Sequence, residues 1–328
     1  MKINELDFEE LKGNKKNIYT HLWNKSDLDF EVQRIGKSDF SYQFEINNDI
    51  INQIGSGMAN VFALNERELF LEKFRQACSG NGNEISKITT LHSSSLCSLL
   101  FFYNVTEKHP LKIGDYTFTK TVFEFKNKVI KRPSNIDVVL LGKDSKGKNV
   151  VLFLESKFSE YIIGITKANS EYKLGKSYLD NKFSKPIYID KSILKNMKLE
   201  LKENDKSDLA LFSSTDKYIE GLKQMVSHYV GIRNFLNGDF YENENLSLPK
   251  GYSENSKILL GEILFDNFGR IFTEQLNSYK ADYEILAKKL NEELKNVPNC
   301  KVLGTSLLYS SLKNFPTDEK VRKFYGFN

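Results

Sequence analysis

The apolar run Val150-Val151-Leu152-Phe153-Leu154 passes straight into Glu155-Ser156-Lys157, and this junction constrains the fold more than any other feature of the chain. A short uninterrupted run rich in β-branched residues reads as a strand. Side chains alternate along a strand, so Glu155 and Lys157 project side by side from one face while Ser156 points the other way.

A second apolar segment, Ile136 to Leu141, precedes it and carries Asp137 near its start. Between the two lies Gly142-Lys143-Asp144-Ser145-Lys146-Gly147-Lys148, a loop by composition. Directly paired residues on antiparallel strands share a constant index sum, and pairing Asp137 with Glu155 centres the turn on residue 146, inside that loop. Opposed residues have Cβ atoms roughly 5 Å apart, a separation at which two carboxylates repel unless they share a cation or a proton. Hydrolysis of a phosphodiester with a metal uses such a set: carboxylates to hold a divalent cation and a cation or base beside the attacking water. Taken alone, Glu-x-Lys at a strand end reads as a solvated salt bridge; the preceding acid at hairpin distance is what makes the arrangement unusual.

The flanking chain supplies a mixed helix and strand order. The Gly55-Ser56-Gly57 sequence reads as a break that separates a mixed polar and aromatic N-terminal stretch from a helix over 65–77. A loop at 79–83 leads into a strongly apolar helix spanning 84–104. Three extended segments follow at 117–129, 136–141 and 150–154, which together suggest a meander. A lysine-rich loop spans 165–208. Ser214 or Thr215 then caps a helix over 215–233 in which Ile219, Leu222, Val226, Tyr229 and Val230 form one apolar stripe. A strand at 257–265 and an amphipathic helix over 270–296, ended by Pro298, complete the order.

Two further families of signals resemble the same group of proteins. Arg132-Pro133-Ser134-Asn135-Ile136-Asp137-Val138-Val139 followed by Leu154-Glu155-Ser156-Lys157 resembles the P-x-D…(D/E)-x-K signature of restriction-endonuclease-like nucleases, the PD-(D/E)xK superfamily. More narrowly, Gly80-Asn81-Gly82-Asn83-Glu84, His92-Ser93-Ser94-Ser95 and Phe158-Ser159-Glu160-Tyr161 are similar to a bacterial restriction-endonuclease-like group, over about residues 80 to 230. The resemblance implies an α/β fold with an αβββαβ core and a mixed central sheet. It places that core at 79–268, a mostly helical N-terminal extension at 1–78 and a helical C-terminal extension packed on the core at 269–328.

It also implies a Mg²⁺- or Mn²⁺-dependent nuclease in which Asp137 and Glu155 are metal ligands and Lys157 orients or activates the attacking water. Glu84, opening its helix after the glycine loop, is the expected fourth acid and third ligand, although a Glu at a helix N-terminus is also stabilised simply by the helix dipole. Glu124, flanked by Phe123 and Phe125, competes with it, although a strand Glu commonly just faces solvent. Gln224 is the helix residue expected near the site. His228, four residues on, shares its polar face and reads as a surface histidine. Lys126, Lys128, Lys131 and Arg132 suit a phosphate backbone or a solvated face equally.

The expected partner is nucleic acid, DNA ahead of RNA, with a homodimer if both strands of a duplex are cut symmetrically. A non-catalytic nucleic-acid-binding module of the same fold, an RNA-directed nuclease, and an interaction domain with a structural ion pair are the alternatives. Other chemistries are poorly matched. His92-Ser93-Ser94-Ser95 lacks a nucleophile elbow and reads as helix capping. Gly36-Lys37-Ser38 and Gly175-Lys176-Ser177 lack the upstream glycine of a phosphate loop, having Glu31 and Ser170 there.

Lys and Arg total 47 against 43 Asp and Glu, so bulk charge does not by itself assign a nucleic-acid partner. Cys78, Cys97 and Cys300 are an odd, widely spaced set, which argues against a disulfide framework or a structural zinc site. With no apolar signal core at the N-terminus and no membrane-length apolar stretch, a cytoplasmic chain with reduced thiols is expected.

Overall fold

A computed structural model describes residues 14–25, 32–35, 39–42, 50–79, 84–90, 92–128, 133–163, 172–175, 199–202, 209–214, 219–236, 251–252, 255–312 and 314–327. Three strands in the middle of the chain, β4 (Tyr116–Lys128), β5 (Pro133–Asp144) and β6 (Asn149–Lys157), form the expected antiparallel meander. The hairpin register pairs Val138 with Leu154 and Lys143 with Asn149, the index sum anticipated from the loop. Asp144 closes the turn with its carboxylate, which accepts the backbone N–H of Lys146 and of Lys148, both at 2.9 Å.

The meander is the centre of a larger mixed sheet. The short β3 (Leu111–Ile113) pairs antiparallel with β4, while β10 (Lys257–Leu264) lies parallel to β6. A parallel neighbour requires a crossover, and the segment between β6 and β10 contains α7 (Ile219–Leu236). The C-terminal region is not purely helical as expected: β11 (Cys300–Val302) and β12 (Leu307–Leu308) both pair with β10. Their backbone groups cover an edge that would otherwise be left unpaired.

Both faces of the sheet are covered. One face packs on a core that draws on α1 (Asn14–Lys25), α2 (Ile50–Val61), α3 (Arg67–Ala77) and α5 (Ser94–Phe102), with Leu152 and Leu154 of β6 beneath. The other packs on α7 and α8 (Thr273–Glu293), with Val151 and Phe153 beneath. Of the apolar stripe anticipated for α7, Leu222, Val226, Tyr229 and Val230 are buried in this second core, and the Ile219 side chain lies outside the described residues. α8 ends short of Pro298 as expected.

Several local expectations are corrected. Gly55-Ser56-Gly57 is no break but lies inside α2, where Gly55 permits close helix packing. A Cβ there would stand 2.9 Å from Leu71 Cδ2 and 3.0 Å from Phe74 Cδ1 on α3. The N-terminal region also contains a hairpin of β1 (Val32–Ile35) and β2 (Asp39–Tyr42). The helix expected over 84–104 is two helices, α4 (Glu84–Ile88) and α5. Ser93 starts the second by accepting the Leu96 N–H at 3.0 Å, the capping role anticipated for this tract. The lysine-rich stretch contains β7 (Tyr172–Gly175) and β8 (Leu199–Lys202), which flank β9 (Leu209–Ser214) in a small antiparallel sheet. Ser214 therefore ends a strand instead of capping α7, and Thr215 lies outside the described residues.

Gly142 marks a close approach of β5 to β4. A Cβ at this position would meet the Thr117 carbonyl oxygen at 2.0 Å and Phe118 Cα at 2.6 Å, next to the register shift between Phe118 and Lys120. Backbone cannot step aside as a side-chain tip can, so Gly142→Ala is expected to destabilise the chain by about 1–3 kcal/mol, read as a lower midpoint in urea unfolding.

Candidate active site

The sheet forks where the motif residues lie. The β5–β6 ladder ends at Val138↔Leu154, whereas β6 stays paired with β10 through Leu264↔Lys157. Beyond the fork the Asp137 side chain takes over from the ladder, with Oδ2 accepting the Ser156 N–H at 2.8 Å. This keeps Asp137 across from Glu155, the juxtaposition read from the hairpin.

Alternation also breaks at this level. Phe123 belongs to one core and Phe125 to the other, and on the partner strand Val138 and Ile136 divide in the same way. Glu124, between the two phenylalanines, has φ +50°, a left-handed backbone that a non-glycine residue adopts at a cost of order 1–3 kcal/mol. Such local irregularities re-aim side chains beside functional sites. Here Glu124 is held by Asn135, whose Nδ2 donates to Oε2 at 3.0 Å, and its charge bears on Asp137. The half-exposed strand Glu is thus part of the acidic cluster and not merely solvent-facing. Glu84 does open a helix, α4, but its side chain lies outside the described residues.

Glu155 and Lys157 are each 2 % exposed, so a solvated edge pair is ruled out. Lys157 Nζ donates to Glu155 Oε1 at 2.6 Å and also to Gln224 Oε1. The other carboxylate oxygen, Oε2, is 2.6 Å from His228 Nε2, and His228 Nδ1 is 2.7 Å from Ser134 Oγ. His228 is 1 % exposed, which overturns its reading as a surface histidine. The polar face of α7 points at the strand, and its two polar side chains one turn apart grip the two motif residues.

Charge follows from this packing. Burial pushes the Asp137 carboxyl well up, and the negative charges of Glu155 and Glu124 push it further, against the pull of Lys157 and the Ser156 N–H. Burial would raise Glu155 as well, but the Lys157 ammonium and then His228 outweigh it and hold the carboxyl at about 2. Lys157 is driven upward despite its burial, chiefly by Glu155 and then by Glu160 and Asp137. The two carboxylates opposed on the hairpin therefore differ in kind: Glu155 is firmly ionised, and Asp137 is reluctant to ionise.

A further buried acid sits one strand over. Glu262 of β10 is register partner to Glu155 and fully buried. Burial raises it to about 7, although Ser306 Oγ donates to it at 2.6 Å and Tyr279 OH at 2.9 Å. Sequence reasoning missed Glu262; a lone charge inside Ile258-Leu259-Leu260-Gly261-Glu262-Ile263-Leu264 was the available signal. It also missed Ser134 and Asn135, for which the tripeptide neighbourhood of Asp137 was the only hint.

Past Lys157, Glu160 Oε2 accepts the N–H groups of Phe158 and Ser159 at 2.6 and 2.9 Å. Tyr161 OH donates to the Phe265 carbonyl at 2.7 Å. The Phe-Ser-Glu-Tyr tract thus anchors the end of β6 and starts α6 (Glu160–Ile163). Of the basic residues considered for phosphate contacts, Lys126 donates to the Ser79 carbonyl at 3.0 Å. Lys131 and Arg132 lie outside the described residues, as does the Lys128 side chain.

Among the described residues no group of three or more His, Cys, Asp or Glu side chains is placed to hold a metal ion. Asp137, Glu155 and Glu124 are electrostatically linked oxygen donors, and the Asn135 amide oxygen is a buried acceptor lacking a donor. Hard divalent cations take such ligands, and a cation would relieve the crowding that raises Asp137. No disulfide joins Cys78, Cys97 or Cys300, and no helix among the described residues is long and apolar enough to cross a membrane. No family model, curated protein or solved structure matches the chain.

Proposed function

We propose that the chain is a metal-dependent nuclease of the restriction-endonuclease-like type that hydrolyses DNA phosphodiester bonds. The observation that carries this reading is the meeting, at one fork of the sheet, of Asp137, Glu155 and Lys157, with Asp137 crowded by two other carboxylates. The order α5, β4, β5, β6, α7, β10, with β10 parallel beside β6, agrees with the αβββαβ core that the sequence resemblance implies. That agreement supports the reading but does not by itself name a substrate, since function lives in the site.

Asp137, Glu155 and Glu124 are the residues that would hold Mg²⁺ or Mn²⁺, which supplies Lewis-acid polarisation of the phosphodiester and a more acidic water. Lys157 is held in its charged form, so it acts as a cation: it steadies the phosphate and orients the attacking water and is not the base that takes the proton. Gln224 and Glu155 fix its ammonium between them. The carboxamide of Asn135 holds Glu124 toward the same cluster.

The satisfied Glu155 also suits a purely structural ion pair, and one experiment separates the two. Plasmid and single-stranded DNA are incubated with Mg²⁺, Mn²⁺ or EDTA beside Lys157→Ala, and melting is followed with and without metal. The nuclease reading expects metal-dependent cutting that Lys157→Ala lowers by about a hundredfold or more, together with a metal-dependent rise in melting temperature. A wild-type chain that neither cuts DNA nor responds to either metal would sink it.

A further inference from the structure

We propose that His228 and Ser134 are positioning residues that fix the Glu155 carboxylate for hydrolysis, an inference that rests on the nuclease reading above. A hydrogen-bond chain runs from Glu155 through His228 to Ser134. An ionised carboxylate only accepts, so the 2.6 Å contact to Glu155 Oε2 makes Nε2 the protonated ring nitrogen. Nδ1 lies 2.7 Å from Ser134 Oγ, a hydroxyl that can donate to a ring nitrogen or accept from it. With its Nε2–H on Oε2, the histidine gives the carboxylate a directed donor.

The match between helix and strand is geometric. Four residues of helix rise about 6 Å, and two residues of strand span about 6.6 Å. Gln224 and His228 therefore meet Lys157 and Glu155 one to one. The helix is set at a fixed depth: a Cβ on Gly231 would stand 2.6 Å from Asn127 Cβ on β4, so α7 rests on the sheet three residues past His228. Ser134 follows Pro133, whose ring fixes φ, at the start of the strand that also carries Asp137. One short segment thus places one carboxylate of the cluster and contacts the histidine that aims the other.

Glu155 has one oxygen on Lys157 and one on His228. Its terminal torsion is soft, and with the imidazole gone nothing described holds Oε2. The carboxylate would then turn about the Lys157 contact and lose its aim. Groups that orient a metal-holding carboxylate in this way typically contribute about 10–100-fold in metal affinity or activity.

The test compares the intact chain with His228→Leu, His228→Gln and Ser134→Ala, measuring steady-state plasmid cleavage, Mn²⁺ binding by calorimetry and melting. The imidazole tautomer of wild type and Ser134→Ala is read by nitrogen–proton NMR. Expected are an Nε2–H tautomer in the wild type, a kcat about 10–100-fold lower or a comparably weaker Mn²⁺ affinity for His228→Leu, and recovery of most of it in His228→Gln. The glutamine amide NH2 can donate to Oε2 in place of the ring Nε2–H. A smaller loss is expected for Ser134→Ala.

A folded His228→Leu chain with wild-type kcat and Mn²⁺ affinity would overturn the proposal, as would an Nδ1–H tautomer in the wild type. If the leucine variant does not fold, Ser134→Ala decides: a severalfold lower kcat supports the proposal, and an unchanged kcat and Mn²⁺ affinity overturns it. A wild-type chain that does not cleave would instead end the nuclease reading itself, and the positioning role with it.

Discussion

Asp137→Asn is expected to abolish metal-dependent cleavage while raising the melting temperature of the metal-free chain at neutral pH. The asparagine keeps an oxygen for the Ser156 N–H, so the fork of the sheet survives. It loses the charge that burial, Glu155 and Glu124 all oppose. A carboxyl whose folded value is raised binds its proton more tightly folded than unfolded, so the folded state loses stability as pH rises through the window above the ordinary value of 3.8. Asp137→Asn should remove that loss, and its advantage over wild type should grow between acidic and neutral pH. Cleavage should fall by at least about a hundredfold, which corresponds to about 3 kcal/mol of transition-state stabilisation. Melting curves from pH 4 to 8 and plasmid cleavage check both halves. A variant that melts well below wild type across that range would mean that Asp137 is a structural acid.

Glu155→Ala should do the opposite and destabilise strongly. It leaves the Lys157 ammonium, 2 % exposed, with only Gln224 described as a direct side-chain acceptor, and removes the acceptor for His228 Nε2. Breaking a buried pair in this way costs about 3–5 kcal/mol, a fall of roughly 10 °C in melting temperature. The pH dependence has the sign opposite to that of Asp137. Glu155 is held at about 2 against an ordinary 4.5, so its contribution is fully present above about 4.5 and drains away as pH falls toward 2. Acid unfolding of wild type should therefore be steeper across that interval than that of Glu155→Ala. Equal slopes would show that Glu155 carries no such linkage. Two acids facing each other across one hairpin thus make opposite contributions to stability, and the site keeps the unfavourable one.

The placement of these residues was legible in the chain to different depths. The hairpin was readable because its register depends on turn length and on the apolar pattern, both local properties. Val150 to Leu154 and the composition of the 142–148 loop were sufficient to set Asp137 across from Glu155. The side-by-side projection of Glu155 and Lys157 followed from strand geometry, and the buried stripe of α7 from helical period. These interactions are encoded within a few residues of one another.

What only the tertiary structure decided depends on contacts far apart in sequence. His228 lies 73 residues from Glu155, and a polar helix face looks the same in the chain whether it meets solvent or a buried carboxylate. Gly55 reads as a breaker until α3 is seen pressing against it. Glu124 reads as an ordinary strand residue because its left-handed backbone, where the β4–β5 ladder skips from Phe123↔Val138 to Phe125↔Ile136, leaves no mark in the sequence. Glu262, 107 residues from Glu155, enters the neighbourhood through a parallel crossover. The sequence by itself determined the strands, their hairpin and the side chains at its open end; packing alone decided which charges are desolvated and which groups hold them, because burial is a property of the assembled layers.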